Sequence, residues 1–177
     1  MNLIFENTKI TNKLEEILLK QLLALYSDEW LAVYQYSIES DFVTNLKISD
    51  KVKNQITKEL DIHTMEEFKH AKLLIPEILK LNDSGIESIN HIDKLSKNAN
   101  VKFLVPTKNE SNILHQAIIS ESGAIKAYTN TLNYLDKHFK NDDKFKKLND
   151  ILKKILDQEY EHKTDLEKIL KDIKGIK

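Results

Sequence analysis

The chain has 177 residues, the size of one domain, and 27 Lys+Arg against 28 Asp+Glu leave a net charge of −1, which argues against a general nucleic-acid binder. Three glycines and two prolines beside 41% hydrophobic and 31% charged residues suit long helices and argue against a turn-rich sandwich or barrel. The lack of cysteine excludes disulfides, thiolate zinc sites and iron–sulfur centres, so any metal site must use carboxylates and imidazoles.

Four long segments carry apolar residues three and four positions apart, which is the spacing of amphipathic helices. They cover about 12–44, 51–81, 110–139 and 143–173. Pro76 falls in the last turns of the second segment, where proline can kink a helix. Thr107 or Ser111 is the predicted N-cap of the third segment, and the fourth is expected to close near Gly175.

The lengths of the connections predict how these helices are arranged. Short linkers near 45–50 and 140–142 indicate two antiparallel hairpins. The connection over 82–109 is long enough to cross a whole bundle, and its spaced isoleucines predict a short surface helix within it. The sequence therefore predicts one all-α domain over 1–177, a ferritin-like four-helix bundle with a long crossover between helices two and three.

Ionisable side chains interrupt the apolar stripe of every helix. The six are Glu29, Glu67, His70, Glu121, Glu159 and His162. Burying a carboxylate without a partner costs on the order of several kcal/mol, so four of them in one bundle need strong compensation. Two divalent cations would balance the four negative charges, and two neutral histidines would complete the coordination.

The spacing of these residues supports a metal site independently of burial. Glu67 with His70, and Glu159 with His162, each form Glu-x-x-His, which places both side chains on one face of a helix. A single carboxylate from each of the other two helices would complete or bridge the pair, a pattern typical of di-iron and di-manganese carboxylate proteins. Iron and manganese both accept this donor set, so the metal stays open between them.

An internal repeat relates the two halves of the chain. Four residues recur as the same type 92 positions later: Glu29, Tyr36, Glu67 and His70 become Glu121, Tyr128, Glu159 and His162. Two related hairpins with a pseudo-twofold axis would place their ligands around a shared centre. Tyr36 and Tyr128 either pack in the core or hydrogen-bond to a ligand carboxylate.

Other readings of the same residues remain open. A lone Glu-x-x-His is most often an exposed ladder on a charged helix. His63 could supply a further ligand or a supporting hydrogen bond, but we expect it to be capped or partly exposed. Glu66 and Glu161 point off the stripe, and surface positions are expected for His91, His115 and His138.

With these residues in place, the chain resembles the ferritin superfamily over about 14–170. The segment from Leu25 to Tyr36 is similar to the first helix of Dps-like ferritins with a bacterioferritin-type centre, and 66–71 and 157–162 are similar to their second and fourth helices. The resemblance implies a ferroxidase centre that holds two Fe per subunit, with Mn possible. Its implied metal and catalytic ligands are Glu29, Glu67, His70, Glu121, Glu159 and His162.

Departures from the family pattern limit which members of the superfamily the chain resembles. Phe68 stands where haem-binding bacterioferritins carry methionine, so no haem is expected. A chain without cysteine lacks both the rubredoxin domain of rubrerythrins and the cysteine pair of some Dps-like relatives. Only 15 residues follow His162, too few for the fifth helix of 24-subunit ferritins, which favours a homo-oligomeric shell of 12 subunits.

The implied function is oxidation of Fe²⁺ by O₂ or H₂O₂ with iron storage and protection against oxidative stress. No segment reaches 18 apolar residues and the start lacks a signal-peptide pattern, so we expect a cytoplasmic protein with no membrane partner and no nucleic acid. Two alternatives stay open. The same ligands could serve a di-manganese catalase or another di-iron oxidase or oxygenase, and a non-catalytic helical assembly protein would leave the polar residues exposed.

Overall fold

The computed structural model describes residues 13–81 and 109–175, and over these ranges the chain is helical without strands. Its helices are α1 (Lys13–Thr44), α2 (Asp50–Leu81), α3 (Glu110–Phe139) and α4 (Lys146–Gly175). A 3₁₀ turn at Asp143–Phe145 precedes α4. The predicted all-α, ferritin-like four-helix bundle is confirmed. The expected surface helix within the crossover lies outside the described residues.

The helix ends follow the sequence prediction closely, with one correction. The predicted cap of α3, Thr107 or Ser111, is wrong. Asn109 is the N-cap, and its side chain accepts a hydrogen bond from the backbone N–H of Asn112, which satisfies one of the free amides at the helix start. α2 continues through Pro76 as far as Leu81.

Two apolar clusters fill the two ends of the bundle. Leu22, Leu74 and Ile155 represent one cluster, and Ile56 and Leu114 represent the other. All five side chains are fully buried. Since α1 packs on α2 and α3, and α4 packs on α3 and α2, the two clusters enclose the middle of the bundle from both sides. The ionisable residues that interrupt the four apolar stripes meet in that middle section.

Within the described ranges, no helix combines the length and the apolar character needed to cross a membrane.

Candidate metal centre

The structure brings all six predicted ligands together in the middle of the bundle. They are Glu29, Glu67, His70, Glu121, Glu159 and His162, and none exposes more than 3% of its surface. α1 and α3 contribute one carboxylate each, and α2 and α4 contribute one Glu-x-x-His pair each. The exposed-ladder reading is therefore wrong for these positions.

The six residues form two overlapping sets, each with its ligand atoms within 4.8 Å of one another. One set is Glu29, Glu67, His70 and Glu159, and the other is Glu67, Glu121, Glu159 and His162. Only the two carboxylates of the Glu-x-x-His pairs belong to both sets. Glu67 and Glu159 would therefore serve both halves of the centre, and each single carboxylate would serve one half.

Both histidines turn the same ring nitrogen towards the carboxylates. Nδ1 of His70 lies 3.0 Å from Glu67, 3.2 Å from Glu29 and 3.1 Å from Glu159. Nδ1 of His162 lies 3.4 Å from Glu67. Once its proton is lost, each Nδ1 would present one imidazole lone pair to its half of the centre.

The outer ring nitrogens are held by the residues that precede the bridging carboxylates. Nε2 of His70 lies 3.3 Å from Oε1 of Gln158, and Nε2 of His162 lies 3.0 Å from Oε2 of Glu66. An Nε2–H donated to these oxygens leaves Nδ1 free for a metal ion. Glu66 was expected to point off the stripe, yet its side chain reaches across to α4. The 92-residue offset between Glu66 and Gln158 is the signal that could have found this pair.

The two tyrosines connect the hairpins across the bundle. Tyr36 donates a hydrogen bond to Glu121, and Tyr128 donates one to Glu29. Both rings are buried, with exposures of 1% and 0%. Of the two expectations, packing in the core and hydrogen bonding to a predicted ligand, the structure realises both. Each tyrosine therefore fixes the single carboxylate of the other hairpin.

Without metal, the centre keeps protons to balance its charge. Burial and then the charge of Glu67 raise the pKa of Glu29 and of Glu159. Burial would also raise the pKa of Glu67, but hydrogen bonds to His162 and His70 outweigh it and lower that pKa. Burial opposes protonation of His162, whereas hydrogen bonds to Glu121 and Glu67 raise its pKa to about 11. Metal binding must displace these protons.

The donor set fits a pair of divalent cations. Oε1 of Glu159 lies 3.1 Å from Nδ1 of His70, and Nδ1 of His162 lies 3.4 Å from Glu67, but neither contact has good hydrogen-bond geometry. A buried polar atom in this position is costly unless another group satisfies it. Four carboxylates and two imidazoles combine hard oxygen with borderline nitrogen donors, the chemistry that suits Fe²⁺ and Mn²⁺. The residues would hold such ions between the four helices.

A small cavity between α1 and α3 borders the carboxylates. Small and polar side chains line it, namely Asp28, Ala32, Ser120 and Ala124. Burial, followed by the charges of Glu67 and Glu121, raises the pKa of Asp28 to about 7. Sequence analysis did not single out Asp28, because only the assembled fold brings those two carboxylates beside it.

Of the two expectations for His63, partial exposure is wrong, and Nε2 has a carboxylate neighbour, Glu59, at 3.3 Å. The His63 side chain is only 1% exposed, and its ring stacks on His162 with centroids 4.1 Å apart. Burial, reinforced by the charge of His162, lowers the pKa of His63 to about 3. His115 and Glu161 are exposed as expected and His138 is partly buried, while His91 lies outside the described residues.

Comparison with known proteins supports this picture. Residues 112–177 match the rubrerythrin family model, a range that includes Glu121, Glu159 and His162. No curated protein matches the chain. Together with the four-helix bundle and its carboxylate–histidine cluster, the match supports a di-iron carboxylate protein of the ferritin-like superfamily.

Proposed function

We propose that the protein is a ferroxidase of the Dps-like, bacterioferritin-type kind that oxidises Fe²⁺ and passes the product to an iron store. The observation that carries the proposal is the pair of overlapping ligand sets that share Glu67 and Glu159. Shared carboxylates would hold two substrate ions close enough to act together. Two Fe²⁺ ions and two protons can reduce one H₂O₂ to two waters, or one O₂ to H₂O₂, with two Fe³⁺ as product.

The protein's own residues have three tasks in this reaction. The four carboxylates balance the charge of two divalent ions, and they would favour the more highly charged Fe³⁺ product electrostatically. Tyr36 and Tyr128 hold Glu121 and Glu29 in place. The apolar clusters at both ends keep bulk water away, which strengthens these interactions.

A homo-oligomeric shell, with 12 subunits favoured over 24, is part of the same proposal. Tyr34, Ile38 and Phe42 follow each other at four-residue spacing on α1, with exposures of 43%, 43% and 38%. An exposed apolar stripe of this kind supports an interface between copies. Light scattering of the 20.6 kDa chain tests it, because a monomer or dimer would count against a mineral-holding shell.

Anaerobic Fe²⁺ titration of the metal-free protein, followed by exposure of matched samples to O₂ or H₂O₂, tests the proposed activity. We expect two tightly bound Fe²⁺ per chain, fast oxidation on mixing and continued loading of an iron core that stays in solution. The faster oxidant distinguishes storage from peroxide defence. Glu67→Gln should lose binding, whereas Glu167→Gln on the exposed surface of α4 should not.

Two results would redirect the proposal. Tight binding of two ions without oxidation or loading would contradict a ferroxidase and favour a di-manganese catalase or another di-iron oxidase, which Mn²⁺ loading and peroxide disproportionation would then examine. No stoichiometric binding at all would contradict a metal centre and leave a non-catalytic helical protein that buries these residues without metal.

A further inference from the structure

A second cluster of metal-ligating side chains lies beside the centre, on the face where α2 packs on α4. One oxygen of Glu59, one oxygen of Asp165 and one nitrogen of His63 lie within 4.8 Å of one another. Asp165 is exposed, Glu59 is 23% exposed and His63 is 1% exposed. The cluster therefore runs from the surface of the bundle to its interior.

The buried imidazole is the independent sign of a ligand. Nε2 of His63 lies 3.3 Å from Oε1 of Glu59, and its Nδ1 is buried without a hydrogen-bond partner. When the proton sits on Nδ1, the lone pair of Nε2 faces the carboxylate of Glu59, and a cation held by both atoms makes that arrangement favourable. Burial and the facing charge of Asp165 also raise the pKa of Glu59, and the charges of His162 and Lys58 oppose this only in part.

His63 connects this cluster to one half of the centre only. It also lies within ligand distance of Glu121 and His162. At the position 92 residues later the repeat has Ile155, a fully buried core residue. The half of the centre that contains His70 therefore has no corresponding imidazole at that position.

We propose that Glu59, His63 and Asp165 form a third divalent-cation site, from which an ion passes to the Glu121–His162 half of the dinuclear centre. Two carboxylates and one imidazole suit Fe²⁺, Mn²⁺, Co²⁺ or Zn²⁺. The site binds more weakly than the centre, because it offers fewer protein ligands and one of them is exposed. The transfer step rests on the proposed function, whereas the binding step does not.

Equilibrium dialysis of the full metal-free chain against Co²⁺, which does not oxidise readily, tests the binding step. We expect three Co²⁺ per chain, one of them weaker than the other two. Asp165→Asn should weaken that third ion more than about tenfold, at least the loss seen when supporting residues of metal sites are removed. His63→Ile introduces the residue found at this position in the other repeat. This variant should lose the third ion and keep the other two.

Asp172→Asn is the matched control, because it removes the same charge from an exposed position on the same helix. It should keep three ions. Anomalous diffraction from cobalt-soaked crystals locates them, and the third peak should lie among Glu59, His63 and Asp165. Two peaks in the centre and none at this cluster would overturn the third site while leaving the centre intact. A peak at this cluster with an empty centre would support the third site and overturn the proposed function.

Stopped-flow absorbance of Co²⁺ entering the centre tests the transfer step. We expect the Asp165→Asn variant to load the centre several-fold more slowly than the Asp172→Asn control, with the final occupancy of the centre unchanged. Equal loading rates in the two variants would overturn the transfer step.

Discussion

Glu66 on α2 and His162 on α4 lie 3.0 Å apart through Oε2 and Nε2, and the repeat replaces this carboxylate by the amide of Gln158, which lies 3.3 Å from Nε2 of His70. The two half-sites therefore place an oxygen acceptor at the same ring nitrogen but differ in the charge of that acceptor. A carboxylate acceptor makes the opposite nitrogen of an imidazole a better donor to metal than an amide does. The two halves of the pseudo-twofold centre therefore differ in their electrostatic environment.

This inequality predicts that Glu66→Gln weakens metal binding at the His162 half. The variant gives both histidines an amide partner, so affinity at that half should fall by about 10- to 100-fold, the usual effect of losing a supporting partner. Stepwise Co²⁺ titration followed by absorbance measures the two affinities separately.

The reciprocal change provides the control for this prediction. Gln158→Glu gives both histidines a carboxylate partner and should tighten binding at the His70 half. Circular dichroism confirms that each variant keeps its helices. Unequal affinities that persist unchanged in both variants would contradict an origin in Glu66 and Gln158.

The tyrosine contacts predict a stability cost that does not depend on metal. In Tyr36→Phe and Tyr128→Phe a buried carboxylate loses its donor, so each change should lower the free energy of unfolding of the metal-free protein by about 1–3 kcal/mol. Urea denaturation measures this cost. An exposed position provides the comparison: Tyr160→Phe, at a side chain that is 52% exposed, should change stability little.

Most of the fold and the six residues of the candidate centre could be predicted from the sequence. The apolar spacing gave helix bounds within a few residues, because each stripe buries one continuous face. The repeat placed Glu29 opposite Glu121 and the two Glu-x-x-His pairs opposite each other, since equal spacing on related hairpins brings equal residues to one level of the bundle.

What the sequence could not reveal depends on distances between helices. The assignment of Glu67 and Glu159 as the shared carboxylates requires the separation of α2 and α4, which no single-helix pattern contains. Glu66 lies off its stripe, but a long side chain can reach a neighbouring helix. His63 was expected to be capped or partly exposed, although it follows Ile56 and Leu60 on the buried face of α2, where a neutral imidazole can pack.

Glu39 predicts a pH dependence that is separate from the metal centre. It is fully buried; Gln35 donates to its Oε1 at 2.7 Å, and its Oε2 has no hydrogen-bond partner. Burial raises its pKa from 4.5 to about 7, a trend that the bond from Gln35 only partly opposes. The folded state therefore holds this proton more tightly than the unfolded state does.

The sign of the effect follows from that difference. Below the pKa that Glu39 has in the unfolded chain, both states are protonated and the carboxyl group does not lower the free energy of unfolding. Between pH 4.5 and about 7 the unfolded state ionises first, so stability falls as pH rises, by on the order of 3 kcal/mol for this shift. Glu39→Gln should remove that decline in urea titrations of the metal-free protein across the same range. Asp41→Asn, at an exposed position two residues later on α1, should preserve it, and parallel curves for wild type and Glu39→Gln would contradict the prediction.

Glu159 should show opposite effects on stability with and without metal. Burial and then the charge of Glu67 raise its pKa, so the folded metal-free protein holds a proton that the unfolded chain releases at neutral pH, and a neutral amide of the same shape avoids that cost. Glu159→Gln should therefore raise the free energy of unfolding of the metal-free form by about 0.5–2 kcal/mol, the usual gain when a strained functional residue is replaced. Since Glu159 belongs to both ligand sets, the same variant should lose the stabilisation that bound metal gives the wild type. Thermal unfolding of both forms, with and without Mn²⁺, measures the two effects together. Glu161→Gln is the control for this prediction, because it lies at an exposed position on the same helix, and it should behave like wild type in both conditions.

Two outcomes would contradict the prediction: a Glu159→Gln variant that is less stable than wild type without metal, or one that gains as much stability from metal as wild type does. Either outcome would show that Glu159 supports the core by packing and hydrogen bonding instead of holding cations.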